Sequence, residues 1–365
     1  MKIETPREKL LNIVSQAQKI TRRNPVLPIL NCLLLEAVGN TLKIRATNLD
    51  LGIEVSAPVR VSSEGVVAVP GVVLYNLISG VADKNITLEV IDRNLSVETP
   101  HNKTLIKAVD PSDFPTLPKT DAEKSFKINA KDLVSGLRAV WYSSGTSHVK
   151  PELSSVYIYA EEGDAVFTAT DSFRLAEKRV RLKKPKENFS ILIPQKNIPE
   201  IKRVLEDFDG EIDVFFDKNQ AAFVFDGVYL ISRLIDGVFP DYKQIIPKEF
   251  KTEALALKED LLGALKTATV FSDSFNQLQM EIKPSEKLFR VNTRNADVGE
   301  NSMRVDATLK GQDLEINFNH RYILDCFQSL NADSVSLFLS GLSKPMVMQG
   351  VGDKSFTYLV MPMNK

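Results

Sequence analysis

Apolar residues return at helical spacing three times along the chain, each time just after a short strand-like run. The first instance spans residues 6–20, with Leu10, Leu11, Val14 and Ala17 near one face, and follows Lys2-Ile3-Glu4. Its counterparts are 130–143 after 125–128, and 258–270 after 254–257. Behind each helix, two runs rich in β-branched and aromatic residues flank a turn. These are 31–36 and 42–47 about Gly39-Asn40, 155–160 and 166–170 about Gly163-Asp164, and 277–282 and 288–293 about Pro284-Ser285. A strand then runs into a second helix at 66–81, 190–205 and 314–330. Two further strands follow, as at 212–216 and 221–226 about Asp217-Lys218-Asn219-Gln220. Thr47, Thr170 and Thr293 stand 123 residues apart, and Pro28 and Pro151 repeat the spacing. The pattern predicts an α+β chain of three repeated domains, 1–119, 125–247 and 252–365, each with two helices packed on antiparallel sheets. Polar linkers fall at 117–123 and 246–252. Three copies stacked this way form an arc, which symmetric self-association would close.

Composition adds limits. A length of 365 residues suits two or three domains, and 43% hydrophobic with 25% charged residues describes an ordered globular chain. A net charge of −1 argues against a grip on nucleic acid driven by bulk charge. Cys32 and Cys326 are too few for a disulfide framework or a four-cysteine zinc site, and read as buried thiols in a reducing cytoplasm. The N-terminal residues lack the apolar core of a signal peptide. The uncharged stretch 66–82 carries Pro70-Gly71, Asn76 and Ser79, so it reads as a strand, a turn and an amphipathic helix rather than a membrane span. Phosphate-binding loops, zinc-protease and serine-hydrolase motifs and calcium loops are absent. His101, His148 and His320 fall at different places in the three repeats, which suggests solvated or loop residues rather than a shared catalytic or metal cluster. No catalytic group, metal ligand or cofactor is expected.

Four stretches narrow the reading. They are Pro25-Val26-Leu27-Pro28-Ile29-Leu30, Ala169-Thr170-Asp171-Ser172-Phe173-Arg174-Leu175-Ala176, the run from Ser232 to Tyr242 with its Gly237-Val238-Phe239-Pro240-Asp241, and Val360-Met361-Pro362-Met363. In this order, on a threefold repeat, the whole chain resembles the bacterial sliding clamps, the beta subunits of DNA polymerase III. The resemblance implies a head-to-tail homodimer of six domains, a ring with helices inside and sheets outside. Such a ring encircles double-stranded DNA without reading its sequence, is placed there by an ATP-driven clamp loader, tethers the replicative polymerase and hydrolyses nothing. The low net charge agrees with this, because a topological link needs few phosphate contacts and many would retard sliding.

The resemblance also implies sites. Short peptides of the polymerase and other clamp-binding-motif proteins would dock on Leu153, Thr170, Ser172, Phe173, Arg174, Leu175, Pro240, Ile245, Pro345, Val360, Met361, Pro362 and Met363. Leu175, Ile245, Val360 and Met361 would form an apolar hole for a leucine or phenylalanine anchor, and Arg174 would hold polar groups of the peptide. Arg22, Arg23, Asn24, Arg138, Lys150, Lys196 and Lys202 would face DNA. Lys103, Thr104, Leu105 and Ile106 would meet Val270, Phe271, Ser272 and Glu300 across the dimer seam, with Lys103 and Glu300 as candidate ion-pair partners. The chain departs from the family pattern at Asn24 and Gln244, where basic residues are usual, and at Phe173, where histidine is usual. Two other classes stay open on the residues alone: an enzyme with an inter-domain active site, and a scaffold that gathers partners without DNA.

Overall fold

A computed structural model describes residues 1–21, 27–120, 124–147, 149–183 and 189–363. Its six α-helices among the described residues are α1 (Arg7–Gln18), α2 (Gly71–Gly80), α3 (Ala130–Val140), α4 (Ile198–Leu205), α5 (Lys258–Thr269) and α6 (His320–Cys326). All six start within the stretches that the apolar spacing marks. The chain divides into two units, 1–134 with 196–234, and 135–195 with 235–365.

The first unit holds two antiparallel sheets. Five strands run in the order Arg60–Ser63, Lys2–Pro6, Asn85–Ile91, Asn94–Glu98, Lys103–Ile106. Eight run in the order Lys124–Asn129, Glu211–Phe216, Gln220–Phe225, Val228–Arg233, Leu51–Pro58, Thr41–Thr47, Cys32–Val38, Gly65–Pro70. Helix α1 buries Leu10, Ile13, Val14 and Ala17 against strands Thr41–Thr47 and Leu51–Pro58 and lies beside α2. Leu10, Ile13 and Val14 each contribute about 1.5–3 kcal/mol when fully buried, so the stripe holds the helix down without a side-chain N-cap. Arg7 ties the two helices, donating to the carbonyls of Ile78 at 3.1 Å and Ser79 at 3.0 Å near the end of α2.

The second unit is built alike. Nine strands run in the order Ser190–Pro194, Ser155–Glu161, Asp164–Thr170, Arg174–Arg181, Phe356–Val360, Met346–Gly350, Ser334–Leu339, Thr252–Leu257, Ala307–Gly311. Four run in the order Gly299–Arg304, Leu288–Asn295, Gln277–Lys283, Leu314–Asn319. Helix α5 packs on Leu288–Asn295 and Gly299–Arg304, and α6 on Leu314–Asn319 and Phe356–Val360. Asn319 caps α6 by accepting from the Arg321 N–H at 3.0 Å.

Sheets do not follow repeats one to one. Each repeat divides its strands between two sheets, and two of the sheets are shared between repeats. The strand after the Thr47 turn, Leu51–Pro58, pairs with Val228–Arg233, the last strand of the second repeat. The strand after the Thr170 turn, Arg174–Arg181, pairs with Phe356–Val360, the last strand of the third. Apolar spacing marks strands but not their partners, so this division is invisible in the one-dimensional pattern.

Two expectations are corrected. Pro70 and Gly71 do not form a turn between strand and helix: the strand Gly65–Pro70 runs straight into α2. Helix α2 is also less amphipathic than expected, since its outward positions include Val72 at 41% and Val73 at 49% exposure, and the helix carries no charge. No helix of the described residues is long and apolar enough to cross a membrane. Both cysteines are buried and free.

Candidate functional site

The end of strand Asp164–Thr170 and the start of Arg174–Arg181 are joined by a turn that its own side chains shape. The buried Thr170 hydroxyl donates to the Arg174 carbonyl at 2.6 Å and accepts from the Ser172 N–H at 3.2 Å. Asp171 Oδ1 accepts from the N–H groups of Phe173 and Arg174 at 2.9 and 3.0 Å. Side-chain oxygens that take up turn amides in this way hold the loop without a regular ladder. Ser172 sits at φ 78°, and Phe173 beside it projects into solvent at 61% exposure.

Arg174 is held on three sides. Its Nε donates to Asp171 Oδ2 at 2.9 Å, its Nη1 donates to Asp325 of α6, and its guanidinium lies 4.6 Å from the centre of the Tyr322 ring. These groups make Arg174 a brace between the turn and α6. Neither Tyr322 nor Asp325 was singled out in the sequence, because nothing in local spacing links a helix near the C-terminus to a turn 150 residues before it.

The C-terminal strand closes the next side. Arg174 faces Val360 and Leu175 faces Leu359 in register, and the Met361 N–H donates to the Phe173 carbonyl at 2.8 Å. Met363 continues along Leu314–Asn319, its N–H donating to the Asn317 carbonyl at 2.8 Å. Leu175 and Val360 are buried, as is Pro345, so they underlie the site, while Met361, Pro362, Met363 and Leu153 are half-buried and Pro240 and Ile245 are exposed. Ile245 ends a single 3-10 turn, Tyr242–Ile245. Behind it Leu175, Leu192, Phe239, Tyr242, Val347 and Leu359 form one core cluster. All thirteen residues named for this site lie in the second unit. The result is a floor of packed leucine and valine with a rim of exposed or half-exposed apolar side chains, suited to an apolar anchor residue.

The basic residues are more dispersed. Arg22, Arg23 and Asn24 lie outside the described residues, as does His148. Arg138 on α3 and Lys150 are exposed, and Lys202 on α4 is half-buried. Lys196 is exposed and pairs with Asp50 at 2.8 Å. Lys19, after α1, is bound to Asp207 at 3.0 Å and to the Arg203 carbonyl at 2.7 Å.

Histidines fit the loop expectation at one of the two described positions. His101 is exposed and pairs with Asp83 at 2.8 Å. His320 instead begins α6 at 4% exposure with neither ring nitrogen bonded, and burial lowers its pKa below the ordinary value.

Strand Lys103–Ile106 is one edge of the five-stranded sheet, and Gly299–Arg304 is one edge of the four-stranded sheet. Leu105 is 58% exposed, Ile106 is buried, Thr104 is half-buried, and Lys103 is bound to Glu98 of the neighbouring strand. Val270, after α5, is 64% exposed, Phe271 and Ser272 are half-buried, and Glu300 on the edge strand is exposed. Phe275 and Val298, both exposed and apolar, lie close by in sequence and were not anticipated.

Three family models cover nearly all of the chain: the DNA polymerase III beta subunit N-terminal domain at 1–118, central domain at 127–241 and C-terminal domain at 243–364. The beta sliding clamp of Synechococcus elongatus is 28% identical over 370 residues, covering 99% of both chains. The DNA polymerase III beta subunit of Pseudomonas aeruginosa superposes with a TM-score of 0.94 at 22% identity over all of both chains. A sliding clamp from the same organism bound to griselimycin superposes at 0.93, with 22% identity and the same full coverage. With all three domains matched in order, this chain belongs to the DNA polymerase III beta subunit family, the bacterial sliding clamps.

Proposed function

We propose that two copies of the chain join head to tail into a ring around double-stranded DNA, and that the ring serves as a non-catalytic processivity factor in the cytoplasm. The observation that carries this reading is the rule by which repeats share sheets. The strand after the regularly spaced threonine of one repeat pairs with the last strand of the next, at Leu51–Pro58 with Val228–Arg233 and at Arg174–Arg181 with Phe356–Val360. The third repeat's strand after Thr293 is Gly299–Arg304, and the first repeat's last strand before its linker is Lys103–Ile106; each is left as a sheet edge. Pairing them between two chains applies the same rule a third time and covers edges that would otherwise invite promiscuous association.

In this assembly Lys103, Thr104, Leu105 and Ile106 meet the edge strand with Glu300, flanked by Val270, Phe271 and Ser272. Arg22, Arg23, Asn24, Arg138, Lys150, Lys196 and Lys202 face the DNA. Retention comes from topology and not from phosphate contacts, which agrees with the chain's net charge of −1. A clamp loader opens and places the ring. The replicative polymerase and other clamp-binding-motif proteins dock on the site from Leu153 to Met363, which is also where we place griselimycin. Tethering raises the local concentration of polymerase at the primer end without any catalytic contribution from the clamp.

Sedimentation velocity tests the seam. The unaltered chain is expected at twice its 40.7 kDa mass. Leu105→Glu, which sets a carboxylate opposite Glu300, is expected at the monomer mass, as is Val270→Ala with Phe271→Ala. A monomeric parent chain, or variants that remain dimeric, would refute this seam.

A further inference from the structure

The rim residue Ile245 stands on a segment, 237–246, that touches the sheet through an unusually polar underside. Tyr242, buried at 5% exposure, places its hydroxyl among three oxygens. It accepts from Thr168 Oγ1 at 3.1 Å, lies 2.7 Å from the Tyr159 hydroxyl and donates to the Glu177 carboxylate. Glu177 is itself buried at 9% exposure, and its other oxygen accepts from Arg179 Nε at 3.1 Å. Arg179 reaches on to Glu161, which also accepts from Lys243, the residue next to Tyr242. The network therefore leaves the segment at Tyr242 and returns to it at Lys243. An aromatic ladder reinforces it: Phe239 stacks on Tyr157 at 4.9 Å, and Tyr157 on Tyr159 at 4.8 Å.

A buried carboxylate is costly unless its oxygens are occupied, so Glu177 has strong reason to keep both Tyr242 and Arg179 in place. Burial, and after it the Glu177 charge, raises the Tyr242 phenol's pKa well above its ordinary value, so the hydroxyl remains a donor. Packing of Phe239 and Tyr242 in the core holds the segment against the sheet. The directional bond to a fixed carboxylate adds a constraint on the height and the azimuth of the turn that ends in Ile245.

We propose that Tyr242, bonded to Glu177, is a positioning residue for the partner-peptide site: it fixes Ile245 at the rim and thereby sets how tightly an apolar anchor is gripped. This rests on the peptide-site reading of the proposed function.

The test uses full-length protein and griselimycin as the probe, with affinity measured by calorimetry for four proteins: the parent, Tyr242→Phe, Ile245→Ala and the double variant. Tyr242→Phe keeps the ring and its packing and removes only the hydroxyl. It is expected to weaken binding by about tenfold, the scale of one lost bond to a charged group. Ile245→Ala is expected to weaken binding as much or more. In the Ile245→Ala background, Tyr242→Phe should add less than about twofold, because its effect passes through the side chain already removed. General loosening of the fold would instead add fully, and full additivity overturns the proposal. So does a Tyr242→Phe protein that binds as the parent does. If the parent itself fails to bind griselimycin, the peptide-site reading falls and this proposal with it. Lys243→Met provides a second variant that cuts the returning arm from outside the core, and is expected to weaken binding by a few-fold; unchanged binding there, together with a Tyr242→Phe protein that does not fold, would also count against the proposal.

Discussion

The two places where repeats share a sheet use one backbone device to different ends. At the first, Thr47 Oγ1 donates to the Leu51 carbonyl at 2.8 Å and accepts from the Leu49 N–H at 3.1 Å, while Asn48 Oδ1 takes the amides of Asp50 and Leu51. Leu49 sits at φ 75°, as Ser172 sits at 78° at the second. The two joints diverge in the residues just past the turn. Asp50, Leu51 and Gly52 stand where Phe173, Arg174 and Leu175 stand 123 residues later. At the first place the missing side chain of Gly52 is replaced by the linker: a Cβ there would lie 2.4 Å from Leu117 Cδ2. Residues 116–120 then strap over the joint, with Tyr229 donating to the Pro118 carbonyl at 3.3 Å and accepting from the Thr120 N–H at 3.0 Å. A half-open pocket of about 450 Å³ lies between the strap and Arg45, Glu54 and Tyr229. At the second place Leu175 fills its own space, the segment 237–246 is drawn down by Tyr242, and Phe173, Pro240 and Ile245 are left exposed. Glu54 and Glu177 occupy equivalent positions, yet Glu54 pairs with Arg45 at 2.5 Å while Glu177 holds Tyr242. One scaffold is thus covered by its own chain at the first joint and, in the reading we propose, offers a docking surface at the second.

The largest test of this contrast is Leu175→Ala, which empties the packed floor. It is expected to cost about 2–5 kcal/mol in denaturant unfolding and to weaken griselimycin binding with it. Next, Gly52→Leu builds the second joint's side chain into the first. It must displace Leu117 and is expected to cost about 1–3 kcal/mol, expose 116–120 to protease and leave griselimycin affinity unchanged. Arg174→Ala removes the brace to Asp171 and Asp325 and is expected to cost about 2 kcal/mol, less than full burial would give because the Asp325 side chain is 44% exposed. Smallest, Tyr229→Phe is expected to cost about 1 kcal/mol and speed cleavage of the strap, again without effect on griselimycin. If lesions at the first joint weakened griselimycin as strongly as those at the second, the two joints would not be functionally distinct.

Much of this was legible in the sequence because it is local. Helix starts, hairpins and the threonine spacing follow from apolar periodicity and turn residues, and the motif at 169–176 marks the turn that forms the site's rim. What was not legible depends on contacts remote in sequence. Arg174 meets Asp325 through a sheet that joins two repeats, and Glu177 meets Tyr242 across the same joint's cover. The division of each repeat between two sheets was not legible because a strand pattern does not name its neighbour: Leu51, Ile53, Val55 and Ala57 alternate as a strand should, yet nothing in them points to Val228–Arg233. The burial of His320 was missed for a related reason: α6, which it begins, packs on α5 and on Phe356–Val360, both remote in sequence.

The measurement that bears most directly on the central claim is retention on nicked circular duplex DNA. The protein would be placed there by a bacterial clamp loader and ATP, washed at high salt, and the circle then cut once. A ring is expected to survive the salt, because screening weakens phosphate contacts but not a topological link, and to slide off only after the cut. Loss during the salt wash while the circle is intact would contradict the ring.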